Sequence, residues 1–307
     1  FVKMLKDIKT DIKKLKKEKN ALILAHNYQI PEVQDISDYL GDSLDLAKKA
    51  TKMDYKNIIF CGVDFMAESA KILNPDKNVI LPDSNATCPM ANMVDIKKLE
   101  KLIEKHPDAK IVSYINTTAE IKTYSDICCT SSNGVKVVKS INSDKVIFLP
   151  DTNLGAYIQR LVPEKEMIIW PGMCSTHNNI SKNDILDLKE KYPTAEILVH
   201  PECRLEVIDI ADHAYSTNGM INHVRKSKNK KFIIGTEKDI CYRLKNENPD
   251  KDFYPIKSAI CPNMKKITAK KIVDSLKTLE PKINIKKQVM DKAKIPLEKM
   301  MKTGRGD

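Results

Sequence analysis

Three similar segments, ALILAHNYQ (residues 21–29), AKIVSYINT (109–117) and AEILVHPEC (195–203), recur at almost equal intervals along this 307-residue chain. Each is an apolar run that ends in polar side chains, a pattern typical of a buried strand. A second apolar run and helical stretches follow each segment, and this alternation predicts parallel strands joined by helices. The chain therefore predicts one α/β unit that occurs three times.

One cysteine follows the last apolar run of each unit. The segments are NVILPDSNATCPM (78–90), MIIWPGMC (167–174) and IKSAICPNM (256–264). Cys88, Cys174 and Cys261 are thus 86 and 87 residues apart. A pseudo-threefold arrangement of the units would bring the three thiols together on one axis, as three ligands of an iron–sulfur cluster with one open iron. Three small residues that pack in equivalent cores, or a zinc site, remain alternatives at this point.

The repeat predicts an α/β fold class: three homologous three-layer α/β/α sandwich domains with parallel sheets, in pseudo-threefold arrangement around a central metal cluster. An N-terminal amphipathic helix is expected because Leu5, Ile8, Ile12 and Leu15 share one helical face. The predicted segments are this helix at 1–19, the α/β repeats at 20–96, 97–183 and 184–270, and a C-terminal helical segment at 271–307.

The composition is that of an ordinary globular protein, with 42% hydrophobic and 30% charged residues. No apolar run approaches the roughly 20 residues of a membrane span. The basic N-terminus lacks the apolar stretch of a signal peptide, so we expect a cytoplasmic protein. Most of the net charge of +11 is attributed to solvated surface. Because no basic–aromatic interleaving accompanies it, we expect neither nucleic acid nor membrane as a partner.

Polar residues recur at equivalent positions near the ends of the predicted strands. The matched sets are His26, Tyr114 and His200; Tyr28, Asn116 and Glu202; Ser43, Ser131 and Ser216; and Asp64, Asp151 and Glu237. Because the carboxyl ends of parallel strands border the ligand crevice, these side chains are expected to line one site. Glu202 is the best candidate for a general acid or base. The serines at predicted helix starts are either simple N-caps or part of an anion site. His177 either approaches the cluster or is a solvated loop histidine.

Short motifs along the chain resemble those of quinolinate synthases. They are HNYQ (26–29), GDSL (41–44), CPM (88–90), YIN (114–116), TSSNG (130–134), PGMC (171–174), HPEC (200–203), YSTNG (215–219) and CPNM (261–264). The motifs occur in order from about residue 20 to the stretch PLEKM at 296–300. The resemblance therefore covers nearly the whole chain.

This resemblance implies one [4Fe–4S] cluster per chain, held by Cys88, Cys174 and Cys261. It implies the condensation of iminoaspartate (iminosuccinate) with dihydroxyacetone phosphate to quinolinate, with release of phosphate and water, as a step of de novo NAD biosynthesis. An enzyme that produces iminoaspartate would be a functional partner. The residues implied to bind substrate are His26, Ser43, Tyr114, Asn116, Ser131, His200, Glu202 and Thr217. The expected catalytic residues are Tyr28, Glu202 and His200.

Three other functions remain possible from the residues alone. A different iron–sulfur hydro-lyase would use the same open iron to dehydrate a hydroxy acid. A cluster-bearing redox or nucleic-acid regulator would use the positive charge. A small-molecule binding protein with three packing cysteines would contain no iron.

Overall fold

The computed structural model describes residues 2–307, with side chains described from residue 8 onward. The strands form three separate four-stranded sheets, and each pair of neighbouring strands is parallel. Helices alternate with the strands along the chain. The architecture is therefore three α/β/α domains, which confirms the predicted fold class.

The first domain contains one sheet, preceded by helix α1 (Val2–Glu18). Its strands are β1 (Ala21–His26), β2 (Tyr39–Gly41), β3 (Asn57–Cys61) and β4 (Asn78–Ile80). Its helices are α2 (Pro31–Ile36), α3 (Ser43–Lys52) and α4 (Asp64–Leu73). The strand order is β2-β1-β3-β4.

The second domain repeats this order as β6-β5-β7-β8. Its strands are β5 (Lys110–Tyr114), β6 (Ile127–Cys129), β7 (Lys145–Leu149) and β8 (Glu166–Ile169). Its helices are α5 (Ile96–Lys105), α6 (Ala119–Lys122), α7 (Gly134–Ser140), α8 (Thr152–Leu161) and α9 (Ser175–Asn178).

The third domain has the order β10-β9-β11-β12. Its strands are β9 (Glu196–Val199), β10 (His213–Ala214), β11 (Lys231–Gly235) and β12 (Asp252–Pro255). Its helices are α10 (Lys182–Lys191), α11 (Leu205–Ile208), α12 (Thr217–Lys226) and α13 (Ile240–Glu247).

Two further helices follow, α14 (Ala269–Thr278) and α15 (Lys287–Thr303). Helix α15 packs against α4, α6 and β6, and thereby connects the first two domains. Helix α1 packs against α14 and β1. In α1 the side chain of Ile12 is buried, and Ile8 and Leu15 pack against the same core. Residue 1 and the side chain of Leu5, which the helix prediction included, lie outside the described residues.

The cores explain why the central strands are apolar along their whole length. All six residues of β1 and all five of β3 are buried, because helices shield both faces of a parallel sheet from water. Side-chain caps fix several helix starts: Asp42, Asp95 and Asp151 accept hydrogen bonds at the starts of α3, α5 and α8. Two of these capping residues are near the site: Asp42 lines the cavity described below, and Asp151 contacts the Cys174 backbone.

The boundaries predicted between the domains stay predictions, although each predicted repeat contains one of the sheets. Within residues 2–307, no helix has the length and apolarity that a bilayer span requires.

Candidate active site and metal centre

A cavity of about 150 Å³ lies beside the carboxyl ends of strands from all three sheets. The residues predicted to act in catalysis or to bind substrate or metal all line it: His26, Tyr28, Ser43, Cys88, Tyr114, Asn116, Ser131, Cys174, His200, Glu202, Thr217 and Cys261. The expectation was wrong for four of the matched residues, because Ser216, Asp64, Asp151 and Glu237 are not among the lining residues. His177 lines the same cavity, which favours its placement at the site over a solvated loop. The roles of the individual residues stay predictions.

The three cysteine loops are held by the same contact in each domain. The backbone N–H groups of the cysteines donate to carboxylates that lie just after the third strand of each unit. The pairs are Cys88 to Asp64 Oδ1 at 3.0 Å, Cys174 to Asp151 Oδ2 at 3.2 Å, and Cys261 to Glu237 Oε1 at 3.4 Å. This contact explains why an acidic residue recurs at the same position in all three units.

The three thiols fit a metal centre by number and by chemistry. Burial raises the pKa of Cys88 to about 12, and it raises the pKa of Cys174 and Cys261 as well. Thiolates in this cavity therefore need a compensating positive charge, which a metal centre supplies. Three cysteines at one cavity, one from each domain, match a [4Fe–4S] cluster with three protein ligands. The structure also brings Cys174, His177 and Glu202 ligand atoms within 4.8 Å of one another.

A continuous chain of hydrogen bonds crosses the cavity wall. Tyr28 Oη lies 2.5 Å from Thr236 Oγ1, which lies 2.7 Å from His177 Nε2. His177 Nδ1 lies 2.6 Å from Glu202 Oε2, and Tyr114 Oη donates to Glu202 Oε1 at 2.5 Å. His177 Nδ1 donates to the Glu202 carboxylate, and its Nε2 completes the contact with Thr236. The chain therefore joins both tyrosines and the carboxylate in one network.

The electrostatics of this network separate one charged group from several neutral ones. Burial alone would raise the pKa of Glu202, but the His177 ring and the Tyr114 hydroxyl, which both contact its carboxylate, hold that pKa below its usual range. Burial and the negative charge of Glu202 raise the pKa of Tyr28 and of Tyr114. Glu202 is thus ionised at neutral pH beside two protonated phenols.

The two histidines predicted in the pocket are buried and neutral. Burial lowers the pKa of His26 to about 4 and that of His200 to about 3. The backbone N–H of Tyr28 donates to His26 Nδ1 at 3.2 Å, and the N–H of Glu202 donates to His200 Nδ1 at 3.2 Å. With Nδ1 accepting, each ring carries its proton on Nε2.

Asn116 presents an unused acceptor to the cavity. Its Oδ1 atom is buried and has no hydrogen-bond partner among the described residues. A buried acceptor without a partner is costly, so a donor on a bound ligand would stabilise it. This geometry supports the prediction that Asn116 binds substrate.

The structure refines the predicted helix starts beside the site. Ser43 is the first residue of α3, and its neighbour Asp42 is the N-cap. Ser216 is the N-cap of α12, and Thr217 is the first residue of that helix. The cavity therefore borders two helix N-termini, which favour anions.

The third predicted helix start was wrong by three residues. Ser131 lies in a turn, and α7 begins at Gly134. The reason is local: the side chain of Asn133 accepts from the Thr130 backbone N–H at 2.7 Å, which closes a turn before the helix. Ser131 reaches the cavity from this turn.

The C-terminal residues reach the same rim. Arg305 donates to Asp42 Oδ2 and to Ser216 Oγ, both at 2.8 Å, and so connects the first and third domains. Asp307 Oδ2 accepts from the Ser216 backbone N–H at 2.8 Å. A carboxylate of the chain itself therefore lies at a helix start where the sequence predicted an anion.

Sequence reasoning missed Thr236 and the purpose of the three matched acids. Thr236 directly precedes Glu237, but its counterparts Val63 and Pro150 are apolar, so the repeat gave no sign of it. The three acids were found as a matched set, and each lies 23 or 24 residues before the cysteine of its unit. This regular spacing was the feature of the sequence that could have linked each acid to its cysteine.

The fold and the site together define a class: a three-domain α/β enzyme whose acid–base residues and candidate metal ligands share one buried cavity. The chain belongs to the quinolinate synthetase A protein family, whose model matches residues 10–302.

Similar proteins named quinolinate synthase extend over nearly the whole chain. One from Thermodesulfovibrio yellowstonii is 51% identical over 292 residues, 95% of this chain and 96% of that protein. One from Caldicellulosiruptor bescii is 51% identical over 298 residues, 97% and 98% of the two chains. One from Clostridioides difficile is 47% identical over 304 residues, 99% and 100% of the two chains. The comparisons confirm the resemblance found in the sequence.

Replacing Asp151 by Asn should lower the free energy of unfolding of the metal-free protein by about 1–3 kcal/mol. Asp151 Oδ1 accepts from the Leu154 N–H at 2.8 Å while Oδ2 accepts from Cys174. An amide has one oxygen, so one N–H loses its acceptor. Urea unfolding measures the change, with exposed Asp144→Asn as the control. Equal stability of the two variants would contradict the anchoring role.

The rings of His26 and His200 should stay neutral between pH 8 and about 5.5, because their pKa values lie near 4 and 3. When only the Cε1 carbon of each imidazole is labelled, NMR of the metal-free protein gives one signal per histidine, six in all. His26→Gln and His200→Gln assign two of them. Titration of either ring near the usual value of about 6.5 would show that it is not buried as described.

Proposed function

We propose that this enzyme condenses iminoaspartate with dihydroxyacetone phosphate to give quinolinate, phosphate and water, in de novo NAD biosynthesis. The observation that carries the proposal is the convergence of three thiols, one ionised carboxylate and two helix N-termini on one cavity. Family membership supports the reaction. A cytoplasmic location and a functional link to an enzyme that produces iminoaspartate are part of the same proposal.

Cys88, Cys174 and Cys261 would hold one [4Fe–4S] cluster per chain. When bound, the cluster would supply an open Lewis-acid iron for a substrate oxygen. The hydrogen bonds from the cysteine N–H groups to the three carboxylates fix the backbone of each cysteine, and therefore the position from which its thiol extends. Three protein ligands leave the fourth position to substrate.

The remaining residues would bind and orient the two substrates. Both substrates are anionic, through carboxylates or a phosphate. Ser43 and Thr217 at the helix N-termini, with Ser131 from its turn, would bind these anionic groups. The free Oδ1 of Asn116 would accept from a nitrogen or hydroxyl of the substrate. Neutral His26 and His200 would donate hydrogen bonds through Nε2.

Proton transfer would run through the network of Tyr28, Thr236, His177 and Glu202. Glu202 is ionised, so it can accept a proton from substrate carbon or nitrogen. Tyr114 orients it through the 2.5 Å hydrogen bond. Tyr28 is protonated, so it can donate a proton to a leaving oxygen and regain one through Thr236 and His177. His200 stacks on His177 at a centroid distance of 4.5 Å and keeps that ring in place.

Purification without oxygen should give a protein that contains iron and sulfide and makes quinolinate from dihydroxyacetone phosphate and freshly generated iminoaspartate. Cys88→Ser, Cys174→Ser and Cys261→Ser should each lose the activity and much of the iron. Cys241→Ser is the matched control, because this half-buried cysteine does not line the cavity. An iron-free wild-type protein, or full activity in a cavity variant, would refute the cluster assignment. Dehydration of a hydroxy acid without quinolinate formation would instead indicate a hydro-lyase.

Glu202→Gln should retain the iron but lower kcat by about 10²–10⁴-fold, the usual contribution of a positioned acid or base. Tyr28→Phe should reduce kcat in the same direction, because it removes the hydroxyl at the start of the proton path. The control is Glu206→Gln, an exposed glutamate four residues away. Unchanged kcat in Glu202→Gln would remove this carboxylate from the chemistry.

A further inference from the structure

A second group of metal-ligating side chains lies in the third domain, outside the cavity. Glu196 begins β9, His213 begins β10 and His223 lies in α12. Their ligand atoms all lie within 4.8 Å of one another. Glu196 Oε1 is 3.2 Å from His213 Nε2 and 2.6 Å from His223 Nε2. Two imidazole nitrogens thus converge on one carboxylate oxygen.

Neighbouring side chains orient this group in the way that metal ligands are usually oriented. Asn229 Nδ2 and Ser227 Oγ donate to the other carboxylate oxygen of Glu196, at 2.6 and 3.3 Å. Tyr215 Oη lies 3.3 Å from His213 Nδ1. Partners of this kind fix the ring and the carboxylate of a ligating residue. The arrangement leaves Oε1 and both Nε2 atoms for one ligand.

The fold does not require these residues. By the sequence repeat, the counterparts of Glu196 are Leu22 and Lys110, and those of His223 are Ala50 and Val138. In the third sheet His213 pairs with Leu198. The equivalent pairs in the other two sheets are Tyr39 with Leu24 and Ile127 with Val112, so the counterparts of His213 are Tyr39 and Ile127. The other two domains form the same sheet without a carboxylate and two imidazoles here. The set is specific to one domain.

We propose that Glu196, His213 and His223 bind one divalent transition-metal ion, of which Zn²⁺ fits best. Two imidazoles and a carboxylate with an open position suit zinc. Zinc–ligand bonds of about 2.0–2.1 Å separate tetrahedral ligands by about 3.3 Å. The Glu196–His213 distance of 3.2 Å is close to this, and the Glu196–His223 distance of 2.6 Å would widen when an ion replaces the hydrogen bond. With 39% of the His213 side chain exposed, water can reach the fourth position.

His213 can present Nε2 to an ion. In the tautomer with the proton on Nδ1, the Tyr215 oxygen, 3.3 Å away, accepts that proton and Nε2 carries a lone pair for the metal. The site is also separate from the proposed cluster. Glu196 lies at the amino end of β9, whereas His200 and Glu202 follow its carboxyl end.

The test measures Zn²⁺ binding to the iron-loaded enzyme by equilibrium dialysis without oxygen. The wild-type enzyme should bind one equivalent of Zn²⁺ more than the His223→Ala and Glu196→Gln variants. If the variants still bind that equivalent, the wild type should bind it at least tenfold more tightly. His106→Ala, which removes a histidine outside the group, should bind like wild type. Quinolinate formation by both site variants should equal that of wild type, which confirms that they fold. Equal stoichiometry and affinity in wild type and the site variants would overturn the proposal.

A second measurement on wild type needs no variant. X-ray absorption at the zinc edge should show nitrogen and oxygen neighbours at about 2.0–2.1 Å and no sulfur at about 2.3 Å. Sulfur neighbours would place the ion at the cysteines and would overturn the proposal.

Discussion

The backbone N–H of each cavity cysteine donates to a carboxylate of its own domain, and the geometry of the site depends on this contact. The three acids are Asp64, Asp151 and Glu237. Each follows the third strand of its sheet, whereas each cysteine follows the fourth. The contact therefore holds the loop that follows the fourth strand against the residues that follow the third. Because all three domains use it, the thiols approach one cavity from equivalent directions.

Burial then determines which groups in the cavity carry charge. It disfavours every ionised form, so the thiols and phenols keep their protons and His26 and His200 lose theirs. Glu202 is the exception, because His177 and Tyr114 stabilise its charge more than burial destabilises it. A negative charge held among neutral donors can move protons without drawing water into the site.

The sequence repeat predicted the three sheets and the cavity because equal positions in parallel α/β units occupy equal places at the strand ends. It could not predict contacts that cross between unlike domains. Thr236 of the third domain joins Tyr28 of the first to His177 of the second. No internal repeat encodes such a contact, since each unit contributes a different residue type. The start of α7 was also missed, because one asparagine side chain closes a turn before the helix.

Comparison among the repeats separates what the fold requires from what one site requires. Positions that keep their chemistry in all three units, the cysteines and their carboxylate partners, serve the shared axis. Other positions differ among the units: Glu202 corresponds to Tyr28 and Asn116, three side chains of different chemistry at one cavity. Glu196, at the amino end of β9, and the two histidines beside it differ in the same way from apolar or unrelated counterparts. Equivalent positions of the three units form the shared cavity, and residues found only in the third unit would form the proposed second metal site.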